Sequence, residues 1–193
     1  MTVQRDVIVK MLVGLNHHSH DGLIPAYNVL MSTLPTEFWN NFCQRIVDAV
    51  PEERRNEVED GLTQGYHDCG YHSGQGVVTS KEFQAVITPM VTEGKKDILR
   101  GAFAVMTAVG MSKSGIVQNR EGERLVIRSV NYYPGDRPSE NMRGYLLRGA
   151  CAAFYDLVYG PPYPDGQGTY TCEQVAGLEC GDPFGEFIVT KKS

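Results

Sequence analysis

The stretch TYTCEQVAGLECGDPFGEFIVT, residues 169–190, limits the fold more than any other part of the chain. It alternates like a strand over 169–175, turns through Gly181-Asp182-Pro183, and runs extended again from Phe184 to Thr190. Pro183 presets its backbone angle and removes a donor, while Asp182 is suited to bond its own backbone, so the turn has a mechanism. Two strands alone are not stable in water. The terminal hairpin therefore requires a larger sheet, which the rest of the chain must supply.

The first half of the chain reads as helices. Val3, Val7, Ile8, Met11, Leu12 and Leu15 fall at helical spacing, and the polar break His17-His18-Ser19-His20-Asp21-Gly22 follows. Pro25 suits the first turn of a short helix reaching Leu30 and Met31. Thr36 is placed to cap a helix over 37–50, with Phe38, Phe42, Ile46 and Val47 on one face and Trp39 flanking core or pocket. Pro51 opens the next helix, with Glu52 and Glu53 in its first turn and Val58, Leu62, Tyr66 and Cys69 along one side. The glycine-rich run 70–76 predicts a loop at its end. Thr79-x-x-Glu82 has the form of a capping box ahead of Phe83, Val86 and Ile87. Asp97 is placed to cap a helix through Phe103, Met106 and Val109 that stops at Gly110.

Beyond Gly110 the period changes. Residues 114–119 and 124–131 read as strands joined by Arg120-Glu121-Gly122. Ser139 is placed to cap a long helix carrying Tyr145, Leu146, Ala150, Ala153, Phe154 and Leu157, which Gly160-Pro161-Pro162 ends. Its Gly149, Ala150, Ala152 and Ala153 let another element approach closely. The order predicts an α+β fold: N-terminal helices, then an antiparallel β-β-α-β-β sheet with a long crossover helix. Residues 1–78 form the expected N-terminal helical region, packed on an α+β domain at 79–193.

Charge and cysteine content bear on function. Eighteen basic against 23 acidic side chains give a net charge of −5, and no basic stripe offers the phosphate attraction that nucleic acid or an anionic membrane requires. Gln4-Arg5-Asp6 and Lys10 interrupt any leader-like apolar run, and no apolar stretch is long enough to span a bilayer. The five cysteines are odd in number and scattered, so reduced thiols and a cytoplasmic location are expected.

Three passages resemble the 4-vinyl reductase domain family of small-molecule or hydrocarbon-binding domains, over roughly residues 80–190. The first is Ala108-Val-Gly-Met-Ser-Lys-Ser-Gly-Ile-Val-Gln, which continues into Gly122-Glu-Arg-Leu-Val-Ile-Arg-Ser-Val-Asn-Tyr-Tyr. The second is Gly149-Ala-Cys-Ala-Ala-Phe-Tyr-Asp-Leu-Val-Tyr, similar to the family's crossover helix. The third, and most specific, is Gly181-Asp-Pro-Phe-Gly-Glu-Phe-Ile-Val. The resemblance implies a small-molecule ligand and a homodimer. Many members bind zinc through a glutamate and two cysteines of this hairpin, and alignment on Gly-Asp-Pro puts Gln174, Gly177 and Gly185 at those positions. None is an anionic or thiolate ligand. Cys172 and Cys180 keep the cysteine spacing but lie five residues early, so the expectation is a retained architecture, a lost zinc site and no cofactor.

Other chemistry has two readings at most positions. His67-x-Cys69-x-x-His72 offers imidazole and thiolate to a metal or haem, or is a helix terminus with a core cysteine. His67 or His72 also suits a polar contact to a ligand or an acid–base role. The tandem histidines at 17, 18 and 20 read as a solvated loop. Cys151, among alanines, reads as a buried thiol with no local base. Aromatic residues placed near the predicted borders of sheet and helices suggest an apolar pocket with a few polar groups. Expected ligand contacts are Trp39, Tyr66, His67, Tyr71 and His72 from the helical half. Phe103, Tyr132, Tyr145 and Tyr155 complete the set. The function expected is binding, sensing or carrying of a small apolar or aromatic ligand between sheet and helices. The alternatives are a reductase or hydrolase using histidine or tyrosine in the same cavity, and an assembly scaffold.

Overall fold

The computed structural model describes residues 5–13, 24–32, 34–133, 135 and 137–192. The histidine stretch at 17–20 lies outside the described residues. The helices are α1 (Arg5–Val13), α2 (Thr36–Asp48), α3 (Arg55–Val78), α4 (Lys81–Val86), α5 (Lys95–Ala108) and α6 (Tyr145–Tyr159). The strands are β1 (Ile24–Ala26), β2 (Val29–Met31), β3 (Ser112–Arg120), β4 (Arg124–Tyr132), β5 (Tyr170–Ala176) and β6 (Gly185–Lys191). The fold is α+β, as the change of period predicts. Among the described residues no helix is long and apolar enough to cross a membrane.

The main sheet has the order β3-β4-β6-β5, and every pair in it is antiparallel. The terminal hairpin is thus received as expected, with β6 central between β4 and β5. Its connection is a short 3-10 turn, Leu178–Cys180, closed by Gly181 at φ 91°, a left-handed conformation that glycine adopts without strain. Asp182 accepts from the Gly177 N–H at 2.8 Å, the local bond that makes Gly-Asp-Pro a turn. Alternation sorts the two faces. Leu125, Ile127, Phe187, Val189 and Cys172 turn inward and join Leu147, Cys151 and Tyr155 of α6 in one core, while Arg128 and Glu186 pair at 2.6 Å outside.

Helix α6 lies on the sheet, and α3 lies on α6. The approach is close because glycines face it from both sides. A Cβ on Gly149 would stand 2.5 Å from His67 N and 2.6 Å from Thr63 O, and one on Gly74 would stand 2.6 Å from Leu157 Cδ1. This corrects the loop expected over 70–76: α3 continues through it to Val78, since Gly70 and Gly74 admit α6 rather than end the helix. Tertiary packing outweighs the low helix propensity of glycine here. A second core joins α1 (Ile8, Leu12), Ala26 and Tyr27, α4 (Phe83, Val86), Ile87 and α5 (Ala104, Val105).

Other local expectations are also corrected. Thr36 opens α2 behind Pro35 rather than capping it, and Asp97 lies in the first turn of α5, which Gly94 precedes. Residues 24–31 form a β-hairpin, not a helix: Tyr27 and Asn28 adopt φ 54° and 58°, the turn geometry that matches strand twist, and burial of Tyr27 in the second core offsets the strain. Ser80 rather than Thr79 caps α4, its hydroxyl accepting from Phe83 N at 3.1 Å. Helix α6 begins after Gly144, not at Ser139, leaving an irregular β4–α6 connection; among its described residues, 139–144 are non-helical.

Candidate functional site

That connection walls a cavity of about 280 Å³. Trp39, Asn40, Cys43 and Gln44 of α2 contribute one wall, a pattern of i, i+1, i+4, i+5 that presents a single helix face. Tyr66 of α3 stands across from them, its ring 6.3 Å from that of Trp39 at 67°. Tyr133, Arg137, Pro138 and Arg143 come from the connection, and Tyr145 and Leu146 from the first turn of α6. The outer side of α2 exposes Phe38 and Phe42, stacked 5.8 Å apart. The cavity lies among helices and a loop. It does not lie between sheet and helices, because the inner sheet face is filled by the α6 core.

The polar groups of this cavity are oriented and protonated. Cys43 Sγ and Tyr66 OH lie 3.6 Å apart, and burial raises the pKa of both. Tyr145 OH donates to Glu59 at 2.8 Å; burial first, then that carboxylate, keeps its proton on. Arg143 Nη1 donates to Gln44 Oε1, and Gln44 Nε2 is fixed in turn by Asp48 at 2.6 Å. Arg137 Nη1 donates to Asn41 Oδ1 at 2.7 Å. Such a site offers aromatic surface, phenol and thiol donors, and guanidinium charge. Among the described residues of its lining there is no histidine or carboxylate.

A second cluster holds the connection from beneath. Glu179, 2% exposed, accepts from Tyr132 OH at 2.5 Å, from Gln174 Nε2 at 2.9 Å and from the Arg143 backbone N–H at 2.8 Å. Gln174 Oε1 accepts from Gly144 N at 2.9 Å, and Ser139 N donates to the Glu179 carbonyl at 2.7 Å. The three positions that the family resemblance singles out converge here. A Cβ on Gly185 would stand 2.7 Å from Tyr132 OH, and one on Gly177 would stand 2.9 Å from Glu179 Oε2. The space thus holds a phenol, an amide and one carboxylate, each engaged with the others, and this donor set does not fit zinc. No group of three or more His, Cys, Asp or Glu suited to a metal occurs among the described residues.

With this architecture in view, one solved structure decides the fold. The chain has the fold of the phenol-responsive sensory domain of the transcription activator PoxR. The match to that domain, crystallised with phenol, has a TM-score of 0.72 at 11% identity, over 99% of this chain and 92% of that one. A vinyl-4-reductase family protein from Methanocaldococcus jannaschii matches with a TM-score of 0.48 at 12% identity, over 84% and 85% of the two chains. No family model and no curated protein matches the sequence.

Within the PoxR sensory-domain fold, Trp39, Tyr66 and Tyr145 of the expected contacts line the cavity. The others lie elsewhere. His67 is buried, with Nε2 donating to Asp156 at 2.7 Å; Asp156 also accepts from Gly168 N at 2.6 Å and Tyr170 N at 2.8 Å. That triad ties α3, α6 and β5 together. Tyr71 stacks between His67 and Tyr163, and His72 bonds Tyr163 OH at 3.0 Å near the surface. His67, Cys69 and His72 therefore diverge rather than meet: one is buried against Asp156, one is exposed and one caps a surface ring. Phe103 borders a separate open recess of about 370 Å³ beside Arg5, Arg100 and Ser114. Tyr132 belongs to the Glu179 cluster, and Tyr155 OH donates to Arg120 O at 2.7 Å.

Sequence reasoning passed over Gln44, Tyr133, Arg137, Arg143 and Glu179. Arg143 carried a signal of its own, since a cation just before a helix N-terminus opposes the dipole and calls for a reason.

Proposed function

We propose that this protein binds a small aromatic molecule in the α2–α3–α6 cavity, as a sensing or carrying module. The observation that carries the reading is the wall of Trp39, Tyr66, Tyr133 and Tyr145 around about 280 Å³. Engineered apolar cavities of ~150 Å³ already take benzene, so the space suits one substituted ring. Aromatic walls supply affinity through buried area and ring–ring geometry, and their hydroxyls orient the ligand. The shared fold with a phenol-responsive domain supports the same reading. An enzymatic alternative finds less support, because His67 and His72 stand outside the lining and the lining phenols and thiol hold their protons. Pairing into a homodimer remains part of this proposal and is checked by light scattering, which then gives twice the 21.4 kDa chain mass.

Trp39 is the only tryptophan of the chain, so its fluorescence reports directly on the cavity. Titration with phenol, benzyl alcohol and benzoate is expected to give a saturable change for at least one of them. Trp39→Phe removes the signal and weakens the heat of binding. Linear, unsaturable responses to all three ligands contradict the proposal.

A further inference from the structure

We propose, building on the ring-binding reading above, that the ligand is an aromatic carboxylate and that Arg143 receives its anionic group.

The charge distribution carries the inference. The chain as a whole is acidic, at −5, yet the described residues that line the cavity include two arginines and no carboxylate. Their partners are chosen in a telling way. Arg143 is held by the Gln44 amide and Arg137 by the Asn41 amide, and amides orient a guanidinium without neutralising it. No carboxylate among the described residues forms an ion pair with Arg143. Among the described residues Arg137 pairs only with Glu37, 3.9 Å away and largely in water, where such a pair contributes little. Three described acids bonded to lining residues or to their partners are already committed: Glu179 to Tyr132, Gln174 and the Arg143 backbone, Glu59 to Tyr145 OH, and Asp48 to Gln44.

A guanidinium matches a carboxylate through paired N–H donors, a geometry that lysine or an amide does not reproduce. Helix α6 adds to the same field, since its first-turn residues Tyr145 and Leu146 line the cavity and the positive end of its dipole lies there. A neutral hydrocarbon would leave this charge desolvated and unpaired, which is costly. An anionic ring satisfies it and keeps its apolar body against Trp39 and Tyr66. The backbone bond from Arg143 to Glu179 fixes where the residue starts, and Gln44 fixes where it ends.

Calorimetry on the full chain with benzoate, benzyl alcohol and toluene tests this without any variant. Benzoate is expected to bind at least tenfold more tightly than benzyl alcohol, and the margin shrinks as salt is raised. In Arg143→Gln the preference for benzoate over benzyl alcohol collapses, and Arg143→Lys retains part of it. Equal or tighter binding of benzyl alcohol to the unmodified protein overturns the carboxylate assignment and leaves the ring-binding reading standing. Failure of all three ligands to bind removes both.

Discussion

Alanine at position 149 sets two effects of opposite sign against each other. Replacing a helix-interior glycine by alanine stabilises a helix by ~1 kcal/mol, because the unfolded chain loses freedom and the helix gains propensity. Gly149, however, is where α6 crosses α3. The added methyl would stand 2.5 Å from His67 N, 2.6 Å from Thr63 O and 2.8 Å from Tyr66 C. All three are backbone atoms of a helix, so no side-chain rotation relieves the overlap. Restoring ordinary contact, ~3.5 Å or more, requires the two helices to separate by about 1 Å. Overpacking of this kind costs ~1–3 kcal/mol and exceeds that range where backbones collide. The net expectation is a loss of about 2 kcal/mol, or roughly 4–8 °C in Tm for a chain of this size. Gly65 is the control: it lies in α3, is exposed, and a Cβ there meets nothing within 4 Å. Gly65→Ala should raise Tm by roughly 2–4 °C. Thermal unfolding followed by circular dichroism measures both. A Gly149→Ala protein as stable as the parent would refute the packing argument for α3 and α6.

Two other predictions concern buried carboxylates. Burial alone would raise the pKa of Asp97, but the backbone N–H groups of Glu93 and Thr92, and then Arg100, outweigh it and bring the group from 3.8 to about 2. Because the folded value is the lower one, its contribution of about 2 kcal/mol is present above pH ~4 and disappears as pH falls through ~2. Asp97→Asn should therefore be less stable than the parent at pH 6, with the gap closing in acid; a gap that is constant with pH would rule this linkage out. Glu179→Gln places an amide N–H against a donor, since Tyr132 oxygen already accepts from Gln174 Nε2 and Leu178 N, both at 3.1 Å. A buried mismatch costs ~1–3 kcal/mol, and addition of zinc should not restore the lost Tm.

Some of this was legible in the sequence and some was not, for physical reasons. The terminal hairpin, the β3–β4 hairpin and the crossover helix show period, turn chemistry and stop signals within a few residues of one another, so local reading locates them. Gly70 and Gly74 were misleading because a glycine that admits a neighbouring helix has the same letter as one that breaks its own. Pro25 begins a hairpin because Tyr27 and Asn28 turn the chain, a choice secured by burying Tyr27 among residues far away in sequence. The cavity was half visible: Trp39, Tyr66 and Tyr145 are conspicuous aromatics. Arg143 and Glu179 were not, because their link spans 36 residues and exists only once β5, β6 and the β4–α6 connection are assembled. His67 drew attention for its neighbours in sequence, whereas its partner Asp156 is 89 residues distant.

The location of a bound ring is the most direct test of the account. Intermolecular proton contacts measured by NMR between benzoate and the isotope-labelled protein report which side chains surround it. The account predicts contacts to the Trp39 indole and to the rings of Tyr66, Tyr133 and Tyr145, with a shift of the Arg143 guanidinium resonance. A ring that instead contacts Phe103, or sits in the core beside Tyr155 and Phe187, would contradict it.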